Sequence, residues 1–342
     1  MTTQLDCSIG LAAESTYGTG VTPTRFLEFL SEGLDANIEF SQGEGMRVGS
    51  RVPRADRRDI AKFAPGGPIE LEACTSGLGL LLNAAFGAQT NTLVPTSTAY
   101  QQVHTPTNTD PLNSYTIQKG IPPVGGGATL AHTFVGAVCD SIEFSADAGD
   151  IVKIVTEWLA KDILTATAYA APSYPANLRL FTFVHGGIFI NNGTLTVPTT
   201  TALGSITGSA LANINKFSVK WSNNLDTQGF NLGGAGKRSR KNVVGAGSVE
   251  GSVTAEFSDA TLRDAYLANS NLSMVLTFTR PEVINASVYP VLQIIIPAVR
   301  LEGELPKSNA GGVITQSINF TGLDNLTNAP IYVVYRTADT AL

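Results

Sequence analysis

A mainly β fold, built as two tandem copies of one domain that each carry a short packed α-helix and a long basic loop, is what this sequence predicts. Three observations carry the expectation: a composition of turn and strand formers, segments that alternate apolar and polar residues at period two, and a plan of elements that occurs twice. Of 342 residues, 43% are hydrophobic and 15% charged, with 34 Gly and 17 Pro. So few charges leave little of the Lys and Glu that long helices favour, and the frequent Gly and Pro punctuate short strands. The length suffices for a large core in one domain or two.

The plan occurs first in residues 51–87 and again in 233–269. Each passage reads as a basic cluster, a Gly-rich turn, an alternating strand and a short amphipathic helix. Arg57 falls on Arg238 and Gly66 on Gly247 at one constant separation, and Ile69, Leu71 and Ala73 answer to Val249, Gly251, Val253 and Ala255. Ser76 and Ser258 are the expected N-caps of the two helices. Upstream, the same separation brings Ile38 and Phe40 onto Val219 and Trp221. Downstream, residues 148–162 lie without a gap on 310–324, so that Trp158 meets Phe320. Between helix and hairpin the first copy is longer, and its residues 90–127 read as an insertion or long surface loop, alongside the basic loop at 42–66. The expected domains are residues 1–175 and 176–342, divided within the short, uncharged, Pro-containing segment 170–177.

Charge is unevenly spread. The net charge of −6 argues against general affinity for nucleic acid. Within it, Arg47, Arg51, Arg54, Arg57, Arg58 and Lys62 form one basic cluster, and Lys237, Arg238, Arg240 and Lys241 a second, which leaves the remainder strongly acidic. With only Phe63 nearby to stack on bases, docking of these clusters on acidic surfaces of neighbouring subunits is the better expectation than DNA binding. Ser141, Glu143, Ser145 and Asp147 alternate with Ile142, Phe144 and Ala146, so one face of that strand meets water. Glu70 with Glu72, Lys153 with Glu157, and Glu250 with Glu256 offer similar polar faces. Lining a channel, such faces would repel passing phosphates.

Catalytic chemistry finds no support. His104, His132 and His185 lack metal-ligand spacing and read as surface or turn residues, so no metal or cofactor is expected. Gly43-x-Gly45 lacks the third glycine of a dinucleotide fingerprint, and Gly236-Lys237 lacks the rest of a phosphate loop. Asp56 with Asp59, or Asp147 with Asp150, could be paired as a glycosidase acid and base, but solvated turns explain them. Cys7, Cys74 and Cys139 suit reduced, buried thiols. The amino terminus has no basic start followed by an apolar run, and the apolar stretch around 291–299 is too short to span a bilayer, so folding in a cytoplasm without a membrane is expected.

In this order the parts resemble the tail tube (major tail) proteins of long-tailed, non-contractile phages. The resemblance rests on Glu14-Ser15-Thr16-Tyr17-Gly18-Thr19, the Arg-rich loop from Arg47 to Lys62, the strand and helix ending in Phe86-Gly87, the strand Val138-Cys139-Asp140-Ser141-Ile142-Glu143-Phe144, and the paired Ala-Gly hairpins. It implies β-sandwich or split-barrel domains, rings of six such domains stacked into a conduit for DNA, and a virion component assembled in the host cytoplasm. Two domains per chain imply a trimer with pseudo-six-fold symmetry; a single domain would imply a hexamer. Other implied partners are the tape measure, tail terminator and tail tip proteins. The rival readings are a β-sandwich adhesion protein of phage or cell surface, with exposed binding surfaces and no polymerisation, and a β-rich glycan hydrolase with a paired-carboxylate cleft.

Overall fold

The computed structural model describes residues 3–342 apart from 109, 212, 259, 286, 304, 307–310 and 312. Strand accounts for 47% and helix for 7%, and all ladders between named strands are antiparallel. The first half contains β1 (Ser8–Ala13), β2 (Arg25–Leu27), β3 (Phe29–Glu32), β4 (Ile38–Gln42), β5 (Arg58–Phe63) and β6 (Gly66–Glu72). After α1 (Gly79–Phe86) come β7 (Gly87–Leu93), β8 (Tyr100–Pro106), β9 (Tyr115–Ile121), β10 (Leu130–Asp147), β11 (Lys153–Leu159) and β12 (Asp162–Leu164). The second half contains β13 (Gly186–Asn191), β14 (Leu195–Thr196), β15 (Ser205–Ile206), β16 (Ile214–Ser222) and β17 (Ser248–Glu256). Following α2 (Thr261–Leu267) are β18 (Leu272–Thr279), β19 (Val291–Gly303), β20 (Thr315–Gly322) and β21 (Tyr332–Thr337).

Eight strands make one continuous sheet in the order β3–β6–β11–β10–β16–β17–β20–β19. Its two four-strand runs, β3–β6–β11–β10 and β16–β17–β20–β19, are joined by the β10–β16 ladder, Ser141↔Ser222 to Asp147↔Lys216. A second layer holds β1–β9–β10–β12 from the first half and β13–β18–β19–β21 from the second. β10 and β19 are long enough to serve both layers. The apolar phase of each strand points between the layers: Ile142, Phe144, Ile154, Trp158, Phe217, Val219, Ile318 and Phe320 are buried there. Rings from the two layers meet directly, Tyr115 edge-on to Trp158 at 6.1 Å and Phe217 against Phe278 at 5.4 Å. One hydrophobic cluster runs through both halves.

The segment Glu14–Thr19 sets the bend that lets β10 change layers. Glu14 is buried, and its carboxylate accepts from Gly18 N (2.9 Å), Thr116 Oγ1 (2.9 Å) and Gly136 N (2.8 Å). Gly136 sits where the β9–β10 register shifts, at φ 65°, and a Cβ there would lie 2.8 Å from the Tyr17 ring and from Lys161. Only glycine accepts that conformation in that space, and an irregularity of this kind redirects a strand.

Several expectations change. The region 90–127 is not a surface loop: the end of β7 and all of β8 and β9 lie in it, and β8 pairs with β7 on one side and β21 on the other. α1 is not amphipathic, since every residue except Asn83 is buried, with Phe86 stacked 6.2 Å from Trp221. Neither serine is an N-cap; Leu78 and Ala260 hold those positions without a side-chain bond. Ser76 instead donates its hydroxyl to Asp339 (2.6 Å), whose other oxygen accepts from Gly77 N (2.6 Å). Ile38 and Phe40 do not share the environment of Val219 and Trp221: the strand beside β6 is β3, and β4 forms a separate hairpin with β5. Ala310 and Gly312 of the expected second hairpin lie outside the described residues.

Candidate assembly surface

One face of the eight-strand sheet is predominantly polar, with Val155 as an apolar member of its first row. The registers set Ser31, Glu70, Val155, Glu143, Lys220, Glu250, Thr321 and Arg300 in one row, and Glu72, Lys153, Ser145, Ser218, Ser252, Asn319 and Glu302 in the next. Glu157 lies opposite Ser141, Asp147 opposite Lys216, and Glu256 opposite Thr315. All nine residues expected on a polar face, Glu70, Glu72, Ser141, Glu143, Ser145, Asp147, Glu157, Glu250 and Glu256, therefore share this one. The sequence reading missed Lys216, Lys220, Arg300 and Glu302 on the same face. The alternation Lys216-Phe217-Ser218-Val219-Lys220 is the signal that could have found the two lysines.

The four cations partly neutralise this face but leave it acidic. Lys216 Nζ lies 3.0 Å from Asp147, and Lys153 Nζ lies 4.0 Å from Glu70, which also accepts from Ser31 Oγ at 2.9 Å. Burial among neighbouring strands raises the Glu157 carboxyl above its ordinary range; Lys220 opposes the shift and Asp140 reinforces it. Pairs this exposed contribute about 0–1 kcal/mol each, so they tune the field of the face more than they stabilise it.

The first basic cluster stands on an arm. Every residue of β4 is exposed, as are Arg58–Ala61 of β5. Arg54 pairs with Asp56, Lys62 with Glu39 at 3.0 Å, and Arg58 stacks 4.3 Å over Phe40. Among the described residues Arg47, Arg51, Arg57 and Arg58 have no carboxylate within ion-pair distance. Exposed apolar side chains, Phe40, Met46, Val48, Val52 and Ile60, interleave with them. The arm thus leaves several apolar side chains exposed side by side with its cations, more than scattered single surface residues would.

The second cluster is used differently. Arg238 is 3% exposed; its guanidinium donates to Ala160 O at 2.7 Å and lies 5.0 Å over Phe230. Lys237 reaches Asp162 at 2.6 Å and Phe63 at 5.6 Å, Arg240 pairs with Asp226, and Lys241 donates to Leu112 O at 3.2 Å. Phe63 N donates to Gly236 O at 2.8 Å. Lys237, Arg238 and Lys241 thus tie their loop to the first half and to the root of the arm, Arg240 pairs within the loop, and Arg238 is not on any outer surface. Sequence spacing alone cannot distinguish a cation that projects from one that folds back onto a carbonyl.

The histidines and paired carboxylates considered above lie apart among the described residues. His104 is fully buried, contrary to the surface expectation, and burial lowers its imidazole to about 3. His185 Nδ1 lies 2.6 Å from Thr182 Oγ1. Asp147 is paired with Lys216, and Asp56 with Arg54. Among the described residues no group of three or more His, Cys, Asp or Glu is arranged to hold a metal ion. Among the described residues no helix is long and apolar enough to cross a membrane. The three cysteines are free; Cys139 is buried, while Cys7 and Cys74 are only partly so.

The chain thus combines a polar-faced sheet, an exposed cationic and apolar arm, and a second basic cluster folded back onto the molecule. Compared with models of known protein families, residues 4–322 match the phage tail tube protein family. The chain belongs to that family, and its role is structural, in the tail tube of a virion. No curated protein matches it.

Proposed function

We propose that the chain is the repeating subunit of the tube, that copies close into rings, and that stacked rings form the conduit through which viral DNA leaves the particle. The observation that carries this reading is the eight-strand sheet, with the same strand order twice and one predominantly polar face that spans all eight strands. Turned inward, that face gives the lumen a water-wet, net acidic wall that repels phosphate and does not hold DNA. The repeated order supports two tandem copies of one unit, so that three chains supply six units to a ring with pseudo-six-fold symmetry; one unit per chain would require six chains. The arm from β4 to β5 docks on the acidic surface of a neighbouring subunit, its free arginines giving orientation and its apolar side chains giving burial. On this reading the protein carries no reaction. Its partners are further copies of itself and the tape measure, terminator and tail tip proteins, and it assembles in the host cytoplasm.

Electron microscopy of the purified protein tests the reading. Hollow tubes or rings are expected. Discrete particles at every concentration and salt would instead favour a β-sandwich surface-binding protein, and turnover of a polysaccharide would favour a glycan hydrolase.

A further inference from the structure

We propose that the loop between β16 and β17 is a brace that aims the arm of the first half, with Phe230 and Lys237 as positioning residues for the arm's docking. The docking rests on the tube reading above; the aim is a property of the single chain. Both segments hold the same place in the repeated strand order. The arm connects β3 to β6, the first two strands of one run, and residues 223–247 connect β16 to β17, the first two of the other. One projects as a hairpin, whereas its counterpart folds back onto the molecule and meets it.

The brace is anchored to the body of the first half along its length. Asn223 N and Leu225 N donate to Asp140 O and Oδ1, both at 2.7 Å, and Val244 N donates to Asp110 Oδ1 at 3.1 Å. Leu225 is buried with Leu112 and Val138, and Arg238 holds the Ala160 carbonyl at 2.7 Å. The arm has no such footing. Among the described residues, every hydrogen bond, ion pair and ring contact that leaves β4 and β5 goes to residues 230–237. The lysine–ring contacts are reciprocal: Lys62 of the arm lies 5.1 Å over Phe230 of the brace, and Lys237 of the brace lies 5.6 Å over Phe63 of the arm. Lys237 also reaches Asp162 of β12 at 2.6 Å, so one side chain joins arm, brace and body. Between these contacts Phe63 N donates to Gly236 O at 2.8 Å. A two-stranded hairpin is marginal by itself and would swing about its root. Held in one direction before it meets its partner, it loses less freedom on docking. The repeat has thus divided its labour, the second copy of the segment orienting the first.

Spin labels carried on p-acetylphenylalanine in place of Ser41 on the arm and Val184 on the body, both exposed, measure the aim in the free subunit by double electron–electron resonance. Phe230→Leu with Lys237→Ala removes both lysine–ring contacts and leaves Arg238 its carbonyl. The distance distribution is expected to widen about two-fold or more, and the concentration at which the unlabelled variant grows tubes to rise about ten-fold. F230Y with K237R, which keeps both contacts, should restore both values. Should the double variant not fold, K237A alone, which spares Phe230, carries the same measurement. A distribution as narrow as the parent's, or a wide one with tube growth unchanged, overturns the brace and leaves the tube reading standing. If the parent forms neither rings nor tubes, the tube reading fails and the docking role with it.

Discussion

Replacing Glu14 by Gln removes a single charge while keeping the shape, and the structure makes its cost calculable. One carboxylate oxygen accepts from Thr116 Oγ1 and Gly136 N, the other from Gly18 N. Whichever way a glutamine amide is set, its NH2 faces a backbone N–H donor, Gly18 in one orientation and Gly136 in the other. One hydrogen bond to a charged acceptor is lost, worth about 1.5–3 kcal/mol, and a buried donor is left without a partner at about 1–3 kcal/mol, two costs that overlap in part. A loss of about 2–4 kcal/mol follows for E14Q, and more for E14A, which loses all three bonds. At about 2 °C per kcal/mol for a chain of this size, the thermal midpoint of E14Q falls by about 4–8 °C. Urea unfolding followed by tryptophan fluorescence, with Trp158 and Trp221 in the core, reads the change. A variant within about 0.5 kcal/mol of the parent would refute the claim that this carboxylate holds the bend of β10.

Other perturbations have equally definite outcomes. Because burial holds His104 at about 3 against an ordinary 6.5, the unfolded chain takes up that proton first; its contribution to stability is complete above about pH 6.5 and is lost as the pH falls toward 3. Urea midpoints measured from pH 7 to 4 should decline, and H104Q should flatten the slope. Gly136→Ala forces a Cβ into a left-handed position already crowded by Tyr17 and Lys161, and should cost more than about 2 kcal/mol in the same assay. Reversing charge on the arm with R47E and R51E should leave the monomer's melting unchanged, since neither residue has an ion pair, but should abolish tube growth seen by light scattering. Glu143→Lys with Asp147→Lys should slow genome passage if the polar face lines the lumen; unchanged ejection kinetics would put that face outside.

The face of the sheet was legible because period-two alternation is a local signal: Ser141 to Asp147 declares its polar phase without any knowledge of its neighbours. The helices were legible for a similar reason, although what surrounds them was not. α1 is buried on nearly all sides because β8 packs on it and is held in turn by β21, far along the chain, a long-range pairing with no trace near Leu80 or Phe86. The same hairpin was hidden by its own composition, since Thr, Pro and Asn around Tyr100 to Pro106 mimic a loop. Arg238 and Arg51 look alike as sequence; one stacks on Phe230 and binds the Ala160 carbonyl, the other projects from the arm. Only tertiary structure separates them, because a buried guanidinium is defined by acceptors that lie far off in sequence. The repeat of strand order became visible through registers, with β3 and not β4 in the place beside β6.

A cryo-electron microscopy reconstruction of the assembled tube tests the central claim most directly. The account predicts three chains per ring, arranged with pseudo-six-fold symmetry, with Glu143, Lys220 and Glu250 facing the lumen. Six whole chains per ring, or a sheet whose polar face looks outward, would contradict it.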